Sequence, residues 1–466
     1  MPQSIATLLF CFGILGLFWL DRDPKSRTSP ALWVASIWIL LACSRPPTRW
    51  LYLGQPVPIG DESLEGDPFN KLVYTSLIAL AACILLYRRK RVTKVVSENW
   101  PVLLFFAYCL VSLAWSDFPG VGFRRWNKAI GDWMTVLIVW TDPRPMAAVK
   151  RLLARTAYVL VPLSVLFIRY YSDVGRYYHR WFGTTYFCGV AVEKNGLGAL
   201  CLIAGLTAVW RLTNLYAEPD ENDPGSRRRK FAQFVTLAMV LWLFSIVDSV
   251  TSLMCFLLAS CLLIATRLRM FTRTRMMVHF FCAALVLLPA SVAFLDFSPG
   301  ALHAVGRNST LTERTDIWAG VVDLTPNVLL GAGYESFWLG PRLDAMVANV
   351  TRWWVPNQSH NGYLETYANL GWLGVCGLAL VLFYGYRRAV QQYRVSTAMN
   401  LMLAFFISGV VYNFTEAAFF RMTFPVWLIL LLALNTGQIP REDSTLEPQP
   451  PETSEEYSNT AVHAHT

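Results

Sequence analysis

The chain has 466 residues, 55% of them hydrophobic and only 15% charged, with a mean hydropathy of +0.39. Soluble domains of this size usually carry about 25% charged residues, so the composition excludes an ordinary soluble enzyme and predicts a polytopic membrane protein. A formal charge of +9 raises the question of nucleic acid, but the basic residues lie in short clusters between apolar runs. That distribution is a topology signal, and no nucleic-acid partner is expected. The ten cysteines, such as Cys11, Cys109 and Cys282, read as lying inside apolar segments with no CxxC, which argues against a disulfide framework or a zinc site.

A transmembrane helix needs about 20 mostly apolar residues, with about 17 at the lower end. On that criterion the expected spans are 4–20, 30–44, 70–87, 100–115, 127–141, 152–169, 187–210, 231–247, 248–266, 277–295, 372–386, 398–413 and 423–436. The second and last are short, and the eighth and ninth abut around Asp248, so the expected fold is all-α and polytopic with about 12–13 transmembrane helices. Segment 4–20 lacks the basic start and A-x-A-like cleavage site of a signal peptide and is read as retained. No internal repeat of the kind that builds many transporters is evident.

The connectors set the orientation. The clusters 88–91 and 227–230, the arginines 267–275 and the group Arg387, Arg388 and Arg394 are separated by even numbers of spans. All therefore fall on one side, which the positive-inside rule makes cytoplasmic. Residues 1–296 then hold ten helices, 297–371 form a large periplasmic loop, and 372–437 hold the C-terminal helices. The acidic, Pro-rich tail 438–466 is expected to be cytoplasmic and disordered.

The stretch from Arg307 to Gly374 is the only long polar interruption. Thr310 and Glu313 have capping-box spacing, and Ile317, Val321 and Leu324 follow at helical intervals beside Trp318 and Val322. This predicts an amphipathic helix on the membrane, ending near Pro326. Gly331 and Gly333 permit a turn before Phe337 and Trp338, and a second amphipathic run carries Leu343, Met346, Val347 and Val350. The loop is read as a folded cap.

Only six histidines are present, and His360 stands out in context. Asn361 follows it, and Glu365 lies one helical turn beyond Asn361, so the pair shares a face with His360 at its edge. Imidazole can be neutral near neutral pH and take a proton from a hydroxyl. The alternative reading is a helix-capping or interfacial histidine. External arginines, including Arg314, Arg342, Arg176 and Arg180, run against the cytoplasmic bias. A guanidinium matches phosphate in a bidentate fork, so a lipid phosphate or diphosphate is one partner and headgroup contact by snorkelling the other. Arg314 is favoured because it sits in the first turn of the predicted helix. A third candidate is EKNGLG at 193–198, where Lys194 and Asn195 mark the outer end of a span. Asp132 and Asp248 read as structural polar contacts. No phosphate-binding glycine loop precedes a lysine, no HExxH is present and no Asp-x-Asp pair suggests a bound metal, so neither metal nor cofactor is expected.

The motifs EKNGLG, LTERTDIW, GAGYESFW and SHNGYLETYANLGWLG, in that order, resemble the O-antigen ligase and polymerase superfamily, most closely its exopolysaccharide polymerase-like branch. The likeness covers roughly residues 100–425. It implies a GT-C-like membrane glycosyltransferase that takes glycan from undecaprenyl diphosphate on the periplasmic face of a bacterial inner membrane and passes it to a hydroxyl acceptor without a metal. Its implied partners are the lipid-linked glycan, an acceptor glycan, membrane lipids and other polysaccharide-assembly proteins. The family's loop His matches His360 and its loop Arg matches Arg314, both as catalytic residues. A further family Arg corresponds to Arg180, which joins Lys194, Asn195, Asn361 and Glu365 as expected substrate-binding residues. Two departures are Glu313, where relatives often carry Gly, and DSVTS at 248–252, where they often carry an Arg. The alternatives are ligation of finished glycan to lipid A core or another acceptor and, from a different class, a transporter or flippase of lipid-linked glycan.

Overall fold

The computed structural model describes every residue except 24–26, 56–65, 179–182, 218–224, 295–309, 353, 397–398 and 437–466. Arg180 and the expected disordered tail therefore lie outside the described residues. Each of the thirteen apolar segments falls on a helix. The strands among the described residues form one hairpin, Arg176–Tyr178 antiparallel to Thr185–Phe187. The protein is an all-α polytopic membrane protein.

Length and composition divide these helices. Gln3–Leu20, Pro68–Tyr87, Pro145–Tyr170, Lys194–Ala217 and Gly362–Tyr393 are long and apolar enough to cross a membrane, and the bent pair Arg89–Glu98 with Trp100–Trp115 would make a sixth. Leu32–Ala42, Val250–Ala265, Met276–Ser291, Asn400–Tyr412 and Pro425–Leu434 are apolar but shorter. For the last two of these, position explains the difference. All residues of Asn400–Tyr412 and Pro425–Leu434 are buried within the bundle, whereas Gln3–Leu20 buries only Ala6 and Leu17 and forms an outer layer. A lipid-facing helix must match the bilayer, but an enclosed one can stop where protein takes over.

Pro425–Leu434 has 10 residues, which at 1.5 Å per residue is roughly half the hydrocarbon thickness. The remaining depth is filled by the non-helical segment 413–424, in which Phe414 and Ala417 to Phe420 are buried. Irregular backbone at such depth is tolerated only where its polar groups find partners. Here Asn413 Oδ1 accepts from Ala418 N and Phe419 N at 2.8 and 2.9 Å, and Glu416 N donates to Tyr412 O at 3.1 Å. Asp132 Oδ2 accepts from Thr423 N at 2.9 Å while its Oδ1 accepts from Trp38 Nε1 at 2.7 Å. Asp132 is thus the structural contact expected of it.

The two ends of the bundle differ in chemistry. At one end Arg88 bonds Ser29, Arg211 pairs with Asp21 and Arg388 pairs with Glu98. The other end carries the N-terminus of Lys194–Ala217, the 245–249 turn, segment 413–424 and the long loop. That loop has its own core, in which Ile317 and Val321 pack with Ala332, Phe337, Trp338, Met346 and Ala368.

The helix Gly362–Val395 is broken at Gly371, where φ is +63°. The N–H groups of Trp372 and Leu373 turn to Val328 O and Leu329 O at 2.9 and 3.2 Å, and Ala332 N returns a bond to Ala368 O at 3.0 Å. The break thereby docks the GAGYESFW turn onto the helix that follows His360. A Cβ at Gly371 would collide with the Leu329 carbonyl and would also occupy a left-handed backbone. Gly371→Ala should therefore destabilise the purified protein by about 2 kcal/mol or more. Gly16→Ala, with open space around its Cβ, should be neutral within about 0.5 kcal/mol. Unfolding in detergent, with both variants side by side, measures the contrast.

Candidate functional site

The site is built where three remote segments meet. SHNG supplies the first. His360 adopts a left-handed backbone with φ of +52°, which ends the preceding extended run and turns its ring away from the helix. Asn361 is the N-cap, its Oδ1 accepting from Tyr363 N at 3.0 Å and Leu364 N at 3.2 Å. Gly362 donates its N–H to Asn413 O at 2.9 Å, an approach so close that a Cβ there would strike Asn413 Oδ1. The dipeptide after the histidine thus sets the helix start and brings segment 413–424 against it.

That contact delivers Glu416. Its side chain is only 8% exposed, and its two oxygens face three groups. Oε2 lies 3.3 Å from His360 Nδ1, Oε1 accepts from Asn195 Nδ2 at 3.1 Å, and Oε1 lies 3.7 Å from Arg314 Nη2. Arg314 also donates through Nη1 to Thr415 O at 2.7 Å. Trp318, one turn along on the same face as Arg314, donates to Ser359 O at 2.9 Å. A buried carboxylate is held by opposing charge and hydrogen bonds, and here each partner comes from a different part of the chain.

The arrangement has a chemical consequence. When the proton sits on Nδ1, facing the carboxylate, a neutral imidazole presents Nε2 as its acceptor. It is Nδ1 of His360, and not Nε2, that faces Glu416. Arg314 places positive charge beside it.

The other expected residues divide. Asn195 joins the cluster directly. Lys194 pairs with Asp248 at 2.7 Å and lies 4.2 Å from the Tyr186 ring centroid, so it borders the cluster. The polar partner of Lys194 is Asp248, and not its sequence neighbour Glu193. Asn361 acts through capping. Glu365 is bonded within the loop, where Oε1 accepts from Trp338 Nε1 at 2.6 Å and Oε2 from Ser359 N at 2.8 Å, and it lines the cavity beside the cluster. The seventh predicted span becomes helical only at Lys194, leaving Cys188 in a loop and not in an apolar span. Arg45 grips that loop through Val174 O at 2.5 Å and Gly189 O at 3.0 Å.

Glu416 was missed by the sequence reading. A signal existed: a single carboxylate inside the apolar run NFTEAAFF, since ionisable groups at such depth are costly and mark function.

A cavity of about 520 Å³ adjoins the cluster. Gln358 and Ala417 line it, two residues before His360 and one after Glu416, together with Lys71, Arg125, Lys128 and Arg421. Arg421 bonds Gln358 at 2.9 Å, and Arg125 pairs with Glu335 at 3.2 Å. Asp67 at the rim has its carboxyl held below the usual range by the Thr48 hydroxyl and then by Asn70 N–H.

Removing Glu416 leaves His360 and Arg314 facing a site without its central carboxylate. Glu416→Ala should cost about 3–5 kcal/mol of stability. The Glu416→Ala/Arg314→Ala double variant should lose measurably less than the sum of the singles, by about 0.5–3 kcal/mol. A double-mutant cycle on unfolding midpoints reads this coupling, and strict additivity would refute it.

Comparison with known proteins gives one family match. Residues 235–379 match a family model described as O-antigen ligase, a stretch that holds Arg314 and His360 but neither Asn195 nor Glu416. No curated protein matches the chain. The match likens this part of the chain to membrane enzymes of the O-antigen ligase and polymerase type.

Proposed function

We propose that the protein is an inverting membrane glycosyltransferase that polymerises undecaprenyl-diphosphate-linked repeat units into a surface polysaccharide or exopolysaccharide. The observation that carries this reading is the buried Glu416 carboxylate facing both His360 Nδ1 and Arg314. In the mechanism, His360 Nε2 accepts the proton of the acceptor hydroxyl. The hydroxyl oxygen attacks the anomeric carbon, and the bond to the diphosphate breaks with its electron pair leaving on undecaprenyl diphosphate. Arg314, with Lys194 at the border, stabilises the charge that develops on the leaving group, a task fixed cations can perform without a metal. The adjoining cation-lined cavity receives the acceptor glycan.

The four basic clusters lie away from His360, and the positive-inside rule makes their side cytoplasmic. This supports a periplasmic site in a bacterial inner membrane. Long loop, capping motif and external site belong to one catalytic unit, with 297–371 as its core. The description of the matched family favours a second reading, transfer of finished glycan to lipid A core. The chemistry is the same and the acceptor differs.

His360→Ala and Arg314→Ala should each reduce product by about 100-fold or more at normal protein levels, and Arg314→Lys should restore little because an ammonium lacks the fork. Polymer of normal length and yield from either alanine variant would sink the assignment. In a strain lacking the gene, single repeat units on the carrier would identify a polymerase, and long unattached chains a ligase.

A further inference from the structure

The end of the bundle opposite His360 holds a second cavity, of about 580 Å³, that the reaction does not use. Six cations line it: Arg22, Arg27, Lys150, Arg151, Arg155 and Arg211. Against them stand two carboxylates, Asp21 and Asp23, and Asp21 is already paired with Arg211 at 2.5 Å. The lining is therefore strongly positive.

Arg155 separates this cavity from a merely basic surface. On the helix Pro145–Tyr170 it shares a face with Arg151, Ala154 and Tyr158, and it lies roughly 15 Å along from the helix start. A snorkelling arginine reaches for the surface, but this one is held at depth. Its guanidinium stacks 3.6 Å from the centroid of the Trp33 ring and donates to Ser36 Oγ at 2.8 Å. Among the described residues it makes no ion pair, and the neighbouring charge one turn away, Arg151, has the same sign. A cation at that depth without an anion is costly, so the pocket is suited to an anionic occupant.

The remaining walls define the rest of that occupant. Phe18 and Trp33 line the cavity and are 36% and 56% exposed. The first helix buries only Ala6 and Leu17, so this side opens laterally towards lipid. Cations above and exposed aromatic surface below match an amphiphile with a charged head.

We propose that this cavity binds the anionic phosphate headgroup of a membrane phospholipid, with Arg151 and Arg155 on the phosphate and Trp33 and Phe18 against the acyl chains. The site lies at the end of the bundle away from the transfer chemistry.

The test uses the full-length protein, delipidated in neutral detergent, with phosphatidylglycerol and phosphatidylcholine as probes and native mass spectrometry as the readout. Wild type should retain phosphatidylglycerol over phosphatidylcholine by about 10-fold or more, as expected for charge-assisted fork contacts. Arg151→Ala/Arg155→Ala should abolish that preference. Arg89→Ala/Lys90→Ala, which removes exposed cations from the same end but outside the cavity, should leave it unchanged. Should the first double variant not fold, Arg151→Ala alone carries the test and should weaken the preference several-fold. Equal loss in both double variants would reduce the effect to general surface charge and overturn the site. Displacement of phosphatidylglycerol by millimolar pyrophosphate would overturn the lipid assignment in favour of a soluble phosphate ligand, and so would absence of any preference in wild type.

Discussion

A carboxylate buried in a membrane protein must be neutralised where it stands, and Glu416 imposes that constraint on much of this fold. Its oxygens require His360, Asn195 and Arg314 to arrive together, which ties the long loop, the outer end of Lys194–Ala217 and segment 413–424 into one unit. Segment 413–424 is not a helix. A continuous helix there would carry its side chains past the loop, whereas the irregular path turns Glu416 towards it. The cost of irregular backbone is met locally by Asn413 and from across the bundle by Asp132.

Strain is concentrated at the same end. Among the described residues, the non-glycine positions with left-handed backbone are Asp248, Glu335, Arg352, His360, Phe420 and Thr423, and all lie in the turns and loops around the cluster. Such conformations cost of order 1–3 kcal/mol each and persist only where surrounding packing dictates them. Here the helices supply the rigidity. The short buried helices on either side of segment 413–424 fix its ends, and the docked GAGYESFW turn fixes the helix that follows His360. A preorganised site on rigid elements is what charge stabilisation of a leaving group needs.

The distribution of charge gives the bundle a direction. One end holds the Glu416 cluster and its adjoining cavity, and the other concentrates cations. The two ends use their charge differently. At the His360 end Arg314 is balanced against Glu416 in a compact cluster, whereas at the far end Arg155 is held at depth by an aromatic ring and a hydroxyl.

The membrane class, the helical segments, the segregation of basic connectors and the prominence of His360 and Arg314 were legible in the chain, because each depends on composition or on spacing within a few residues. The loop helix was legible from the period of Ile317 and Val321, although these residues were expected to face the membrane and instead pack in the loop's own core. What tertiary structure decided is which polar groups meet. Asn195 and Glu416 are 221 positions apart, and no local pattern marks such a pair. Asn361 spends its side-chain oxygen on the helix cap, while Glu365 bonds Trp338 and Ser359 at the wall of the cavity. The helix that carries them is set by local periodicity, but the direction in which a side chain spends its hydrogen bonds depends on what packs against it, and that is settled only when the bundle closes.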